Sequence, residues 1–167
     1  MPFLIAVLLA LIGGKQAAPH LTTACSPRAR ATLGRVASVA ASSIDASRFV
    51  ASNGAAGCRL EAHGLAVIVR LDSAPQAYTR MEREVVKFGQ NVDWTKVPPG
   101  AYPQTVKHLG LDADWFPLQG RLLTTDGVRL ITIKVRSSGQ SGEASRKPLA
   151  TRLAQIYLGP LVKPPGH

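Results

Sequence analysis

The sequence predicts an α+β fold: an antiparallel sheet with two main helices packed on one face, plus a short N-terminal helix. Three observations carry that prediction. Apolar and polar residues alternate at every second position in several short stretches, and tight turn dipeptides separate them. Two longer stretches repeat apolar residues at three- and four-residue steps, the spacing of an amphipathic helix. Finally, 46% hydrophobic against 18% charged residues over 167 positions is enough for one hydrophobic core and too apolar for a disordered chain.

Ser26 and Pro27 begin the short helix as N-cap and first-turn residue, and Gly34 is expected to close it in the C′ position. Residues 36–40 suggest a first strand, and residues 41–57, rich in Ser, Ala, Asn and Gly, read as a long loop. Two strands follow, 58–62 and 65–72, around a turn at His63-Gly64. In the second of these Leu65, Val67, Val69 and Leu71 form the inward stripe. Ser73-Ala74-Pro75 starts the first long helix. Tyr78, Met81, Val85 and Phe88 mark its apolar face, and Gly89 ends it. Residues 90–104, with Trp94, Pro98, Pro99, Gly100 and Pro103, form a loop, and a turn at Gly110-Leu111-Asp112 leads to Trp115 and Phe116. Asp126-Gly127 then joins 121–125 to 128–136 as a hairpin with a type I′ turn, its buried stripe being Ile131, Ile133 and Val135. The last helix covers 145–158, with Leu149, Leu153, Ile156 and Tyr157 inward, and Gly159-Pro160 stops it. Each half reads as strands followed by a helix, a faint internal duplication.

Residues 3–12 are an uninterrupted apolar run of the length of a signal-peptide core, closed by Gly13, Gly14 and Lys15. The expected organisation is a signal peptide at 1–20 and a single extracytoplasmic domain at 21–167. Two cysteines, Cys25 and Cys58, then lie in an oxidising compartment, where an even count argues for a disulfide. The competing fate of Cys25 is lipidation, because Thr22-Thr23-Ala24-Cys25 places small residues before a cysteine. The two fates exclude each other, since each consumes the same sulfur.

A cysteine opening a short helix that ends in Leu-Gly (25–34) and a second cysteine heading a strand (58–60) form one half of a pattern. Gly110-Leu111-Asp112-Ala113-Asp114-Trp115-Phe116-Pro117, a Gly120-Arg121-Leu122 segment, Asp126-Gly127 and a closing Ala/Leu helix form the other. Over about residues 21–160 the chain resembles the small exported proteins and lipoproteins of actinobacteria classed as domains of unknown function. The resemblance implies an extracytoplasmic α+β domain, commonly lipid-anchored, with a disulfide between Cys25 and Cys58. It implies no catalytic residues.

Catalytic constellations are not legible. His20, His63, His108 and His167 are scattered without metal-ligand spacing, and no nucleophile elbow, phosphate-cradling glycine loop or dinucleotide fingerprint occurs. No catalytic residue, metal or cofactor is therefore assigned. The nearest candidate for acid–base chemistry is Glu61 with His63, which share a face if that stretch is extended. Trp94, Trp115 and Phe116 flank the Pro-rich loop and either cap the core or line an apolar ligand pocket between loop and sheet. The net charge is +10, and removal of residues 1–18 subtracts only Lys15. Such a chain attracts anionic cell-wall polymer, a membrane surface or another envelope protein. Nucleic acid is not expected, since aromatic residues for base stacking are few and no recognition motif is present. The reading is a non-catalytic exported or envelope-associated binding domain, the alternative being a secreted hydrolase or transferase with an unrecognised site.

Overall fold

A computed structural model describes residues 24–52, 54–72, 77–90, 92–138 and 143–158. The expected signal peptide, the Ser73-Ala74-Pro75 helix start and the tail after Leu158 lie outside the described residues. The elements are α1 (Pro27–Ala37), β1 (Asp45–Val50), β2 (Ala56–Ala62), β3 (Leu65–Asp72), α2 (Ala77–Gln90), β4 (Gln104–Thr105), β5 (Asp112–Phe116), β6 (Arg121–Thr125), β7 (Leu130–Ser137) and α3 (Glu143–Leu158). All strands pair antiparallel in one sheet of order β1-β2-β3-β7-β6-β5-β4. Two meanders thus meet in the middle, where β3 pairs along its whole length with β7.

The α+β class stands, but the helices divide between the faces, contrary to the expectation that both main helices share one. Alternate strand residues decide the arrangement. Cys58, Leu60, Val67, Val69, Leu122, Ile131, Ile133 and Val135 join Ala29 and Leu33 of α1 and Leu149, Ala150, Leu153 and Ala154 of α3 in the main core. Met81 of α2 instead meets Phe116, Leu123 and Leu130, whose chain neighbours Trp115, Leu122 and Ile131 belong to the main core. In a strand, adjacent side chains point to opposite faces, so α1 and α3 cover one face and α2 the other. This also removes the suggested duplication: a two-fold relation between antiparallel β3 and β7 would place the helices that follow them on the same face.

Three local expectations are corrected. First, α1 continues through Gly34 to Ala37, with Ser38 in the left-handed conformation at its end, and no strand forms at 36–40. Gly34 is needed for close approach: a Cβ there would lie 2.8 Å from the Val39 carbonyl oxygen. Second, the 41–57 loop contains β1. This edge strand is exposed along nearly all its length, so it carries no apolar stripe for a sequence reading to detect. Third, the type I′ signature belongs to His63-Gly64, both at positive φ between paired Ala62 and Leu65. The β6–β7 connection is a four-residue loop between paired Thr125 and Leu130. There the Asp126 carboxylate accepts hydrogen bonds from the backbone N–H groups of Val128 and Arg129 at 3.1 and 2.8 Å.

Cys25 and Cys58 are joined by a disulfide that ties the segment before α1 to the buried face of β2. Closing 33 residues stabilises the fold by about 3.7 kcal/mol in the chain-entropy picture. A second tie lies beside it. The Tyr157 hydroxyl donates to the Ala24 carbonyl at 2.6 Å, and burial pushes that phenol up to about 12.

Candidate binding face

The sheet face that carries α2 is built from the residues between the core positions. Their registers place them in two rows that cross the strands. One row runs Ser47, Arg59, Ile68, Lys134, Arg121, Phe116. The other runs Phe49, Gly57, Arg70, Thr132, Leu123, Asp114. The described part of α2 packs mainly on β6 and β7 and reaches β3 through the Arg80–Asp72 ion pair, leaving the β1–β2 side of this face largely uncovered by it. Arg59 and Arg136 on this face are exposed, and Ile68, Arg70 and Lys134 are half-buried. Arg136 pairs across the strands with Ala66, which pairs with Glu61, and Glu61 with Asp45. The strands of this face carry Arg59, Arg70, Arg121, Lys134 and Arg136 together with Asp45, Glu61, Asp72, Asp112 and Asp114; the cations gather toward β2, β3, β7 and β6, and Glu61 is already held by Arg59 at 2.5 Å.

Gly57 gives the row its shape. The Phe49 ring lies over it and occupies the place a side chain at that position would need; the next position of the row is Arg70.

At the covered end, α2 and the sheet enclose a cavity of about 120 Å³ lined by Arg70, Asp72, Arg80, Glu84, Arg121, Leu123, Leu130 and Thr132. Arg80 bridges Asp72 at 2.5 Å; Arg121 reaches Glu84 only at 3.4 Å. The Arg121 guanidinium also sits 5.1 Å from the Phe116 ring centroid. Burial pulls Arg121 below its ordinary value; Glu84 opposes that shift and Arg70 adds to it.

The residues singled out in the sequence are not gathered into one site. Trp115 is buried in the main core and Phe116 in the smaller cluster on the opposite face, so their side chains do not line a common pocket. The Trp94 side chain lies outside the described residues. Glu61 and His63 border one open groove of about 510 Å³. However, β2 ends at Ala62 and His63 sits at φ 42° in the turn, which breaks the alternation that would have aimed both side chains together. The Glu61 carboxylate accepts from Arg59 Nε at 2.8 Å. Among the described residues no group of three His, Cys, Asp or Glu side chains converges, and no helix is long and apolar enough to cross a membrane.

What sequence reasoning missed is the cationic rows. The polar positions of β3 and β7 are visible as Arg70 and Asp72, and as Thr132, Lys134 and Arg136. Only the long-range pairing of those two strands turns them into one surface. Comparison with family models, curated proteins and solved structures finds no match to this chain.

Proposed function

We propose that the protein is a non-catalytic extracytoplasmic domain that binds an anionic polymer of the cell envelope across the open half of its sheet. The observation that carries this reading is the pair of cross-strand rows bearing Arg59, Arg70, Lys134 and Arg121, flanked by Arg136, on a face that α2 leaves partly uncovered. In the first row Lys134 and Arg121 stand on adjacent strands, about 4.8 Å apart, and Arg59 lies two strands from Lys134, a spread of cations that suits a flexible chain with repeated negative charges. Half-buried Ile68, between Arg59 and Lys134, supplies a small apolar contact within the row. Export is supported by the apolar run at 3–12 and by the disulfide, which persists in oxidising compartments. The resemblance to actinobacterial exported domains agrees with that placement, and a bridged Cys25 leaves no sulfur for lipid.

Binding of the disulfide-intact domain to immobilised poly(glycerol phosphate), followed as salt is raised, tests the reading. The wild type is expected to bind at low salt and to elute near or above about 0.15 M. The triple variant Arg59→Gln, Lys134→Gln, Arg136→Gln is expected to elute at clearly lower salt with its thermal midpoint little changed. Equal elution of the two proteins overturns the face assignment. Recovery of the native protein from cytosol with both thiols free overturns the placement.

A further inference from the structure

We infer that the outer surface of the helical layer formed by α1 and α3 docks on an anionic lipid bilayer. Charge is the first observation. The two helices carry Arg28, Arg30, Arg35, Arg146, Lys147 and Arg152 against a single acid, Glu143. On α2, by contrast, Arg80, Arg83 and Lys87 are interspersed with Glu82 and Glu84.

The second is exposure. Arg28, Ala31 and Arg35 recur at helical spacing and are exposed on α1, as are Pro148, Arg152 and Gln155 on α3. Ala29, Leu33, Leu149 and Leu153 are buried in the main core, and the two helices pack on each other. Arg28 and Arg152 form no ion pair among the described residues, and Arg35 donates to the neutral Thr32 hydroxyl at 3.3 Å. Three exposed guanidinium charges thus have no counter-ion among those residues.

The third is where the chain enters. Tyr157 of α3 holds the Ala24 carbonyl, so the segment bearing the apolar run at 3–12 joins the domain beside this layer. A leader held in a bilayer therefore tethers the domain from this side. A groove of about 440 Å³ opens there, bordered by Pro27 and Arg28 of α1 and by Ile156 and Tyr157 of α3. Arg129, which also borders it, is paired with Asp126. Apolar walls beside an unpaired arginine suit a lipid headgroup with its first methylenes better than a fully hydrated polymer.

This surface lies across the sheet from the cationic rows and goes beyond the polymer reading, sharing with it only the assignment of 3–12 as an export leader. The test is co-sedimentation of the mature, disulfide-intact protein with vesicles of phosphatidylglycerol and phosphatidylcholine in about equal parts, and with phosphatidylcholine vesicles alone. Binding to the first is expected to weaken steeply as salt is raised, and binding to the second to be about tenfold weaker or more. Each arginine neutralised near an anionic leaflet costs about fivefold in affinity, so the triple variant Arg28→Gln, Arg35→Gln, Arg152→Gln is expected to lose about a hundredfold. The matched triple Arg28→Lys, Arg35→Lys, Arg152→Lys keeps the charge and is expected to stay within about threefold of wild type. Thermal midpoints check that each variant is folded.

The triple Arg59→Gln, Lys134→Gln, Arg136→Gln removes the same net charge from the opposite face and is expected to bind vesicles within about threefold of wild type. Equal losses in the two glutamine triples would mean that net charge governs binding, and would overturn the inference. It is also overturned if wild type shows no preference for the phosphatidylglycerol vesicles, whatever the polymer does. Vesicle binding lost only in the helix triple, without binding to poly(glycerol phosphate), upholds the docking surface and removes the open-face reading.

Discussion

The two faces of the sheet are made by the same strands, and alternate residues of one strand belong to opposite environments. On β7, Ile131, Ile133 and Val135 are fully buried under α1 and α3, whereas Thr132, Lys134 and Arg136 look toward a face only partly covered by α2. The covered face holds the disulfide, the Tyr157 tie and most of the apolar core. The other face has a small apolar cluster at one end and charged and polar residues over the rest. Stability and the proposed recognition are thus separated by a single residue step, so mutations one position apart should have unlike effects.

The largest expected loss comes from the covered face. Replacing Cys25 and Cys58 together by serine should lower unfolding stability by about 3.7 kcal/mol, read from denaturant midpoints, with residues on the opposite face still able to bind in whatever fraction remains folded. Ile133→Ala should cost about 3 kcal/mol, since a fully buried β-branched side chain leaves a cavity between two strands and α3. A loss below about 1 kcal/mol would break the comparison, because the covered face would then not be the stabilising one.

Smaller effects sharpen it. Tyr157→Phe should cost about 1 kcal/mol by leaving the Ala24 carbonyl without its phenolic donor. The folded pKa of Tyr157 lies at about 12, above the unfolded value of 10.0. Its contribution is therefore complete below pH 10 and disappears as pH rises from 10 to 12, which stability measurements on wild type and Tyr157→Phe across that window would show. Lys134→Gln, one step from Ile133, should move stability by less than about 0.5 kcal/mol while weakening polyanion binding. A stability loss as large as that of Ile133→Ala would mean that the open face carries structural load.

Much of the covered face was legible in the chain. Leu65, Val67, Val69 and Leu71, and Ile131, Ile133 and Val135, announce their strands by period-two alternation, and the structure places both stripes in the core. The α3 pattern was equally plain, although Ala150 and Ala154, too small to stand out, share the buried face and let the helix lie close. What alternation cannot convey is which side of the sheet a connecting helix takes, and so α2 was expected beside α3. Nor does it reveal an exposed edge strand such as β1. The candidate site was legible only as polar residues opposite an apolar stripe. Its existence depends on β3 meeting β7, a pairing between residues distant in sequence that no local signal specifies.

That central pairing also shapes how the chain assembles. Leu65 waits for Ser137 and Asp72 for Leu130, partners that follow 72 and 58 residues later. At synthesis rates of about 5–20 residues per second, the β1–β2–β3 meander stands for roughly 3–14 s with one long ladder edge unsatisfied and its apolar stripe uncovered. Until the last strand and helix arrive, the front half of the protein is a sticky, half-finished sheet.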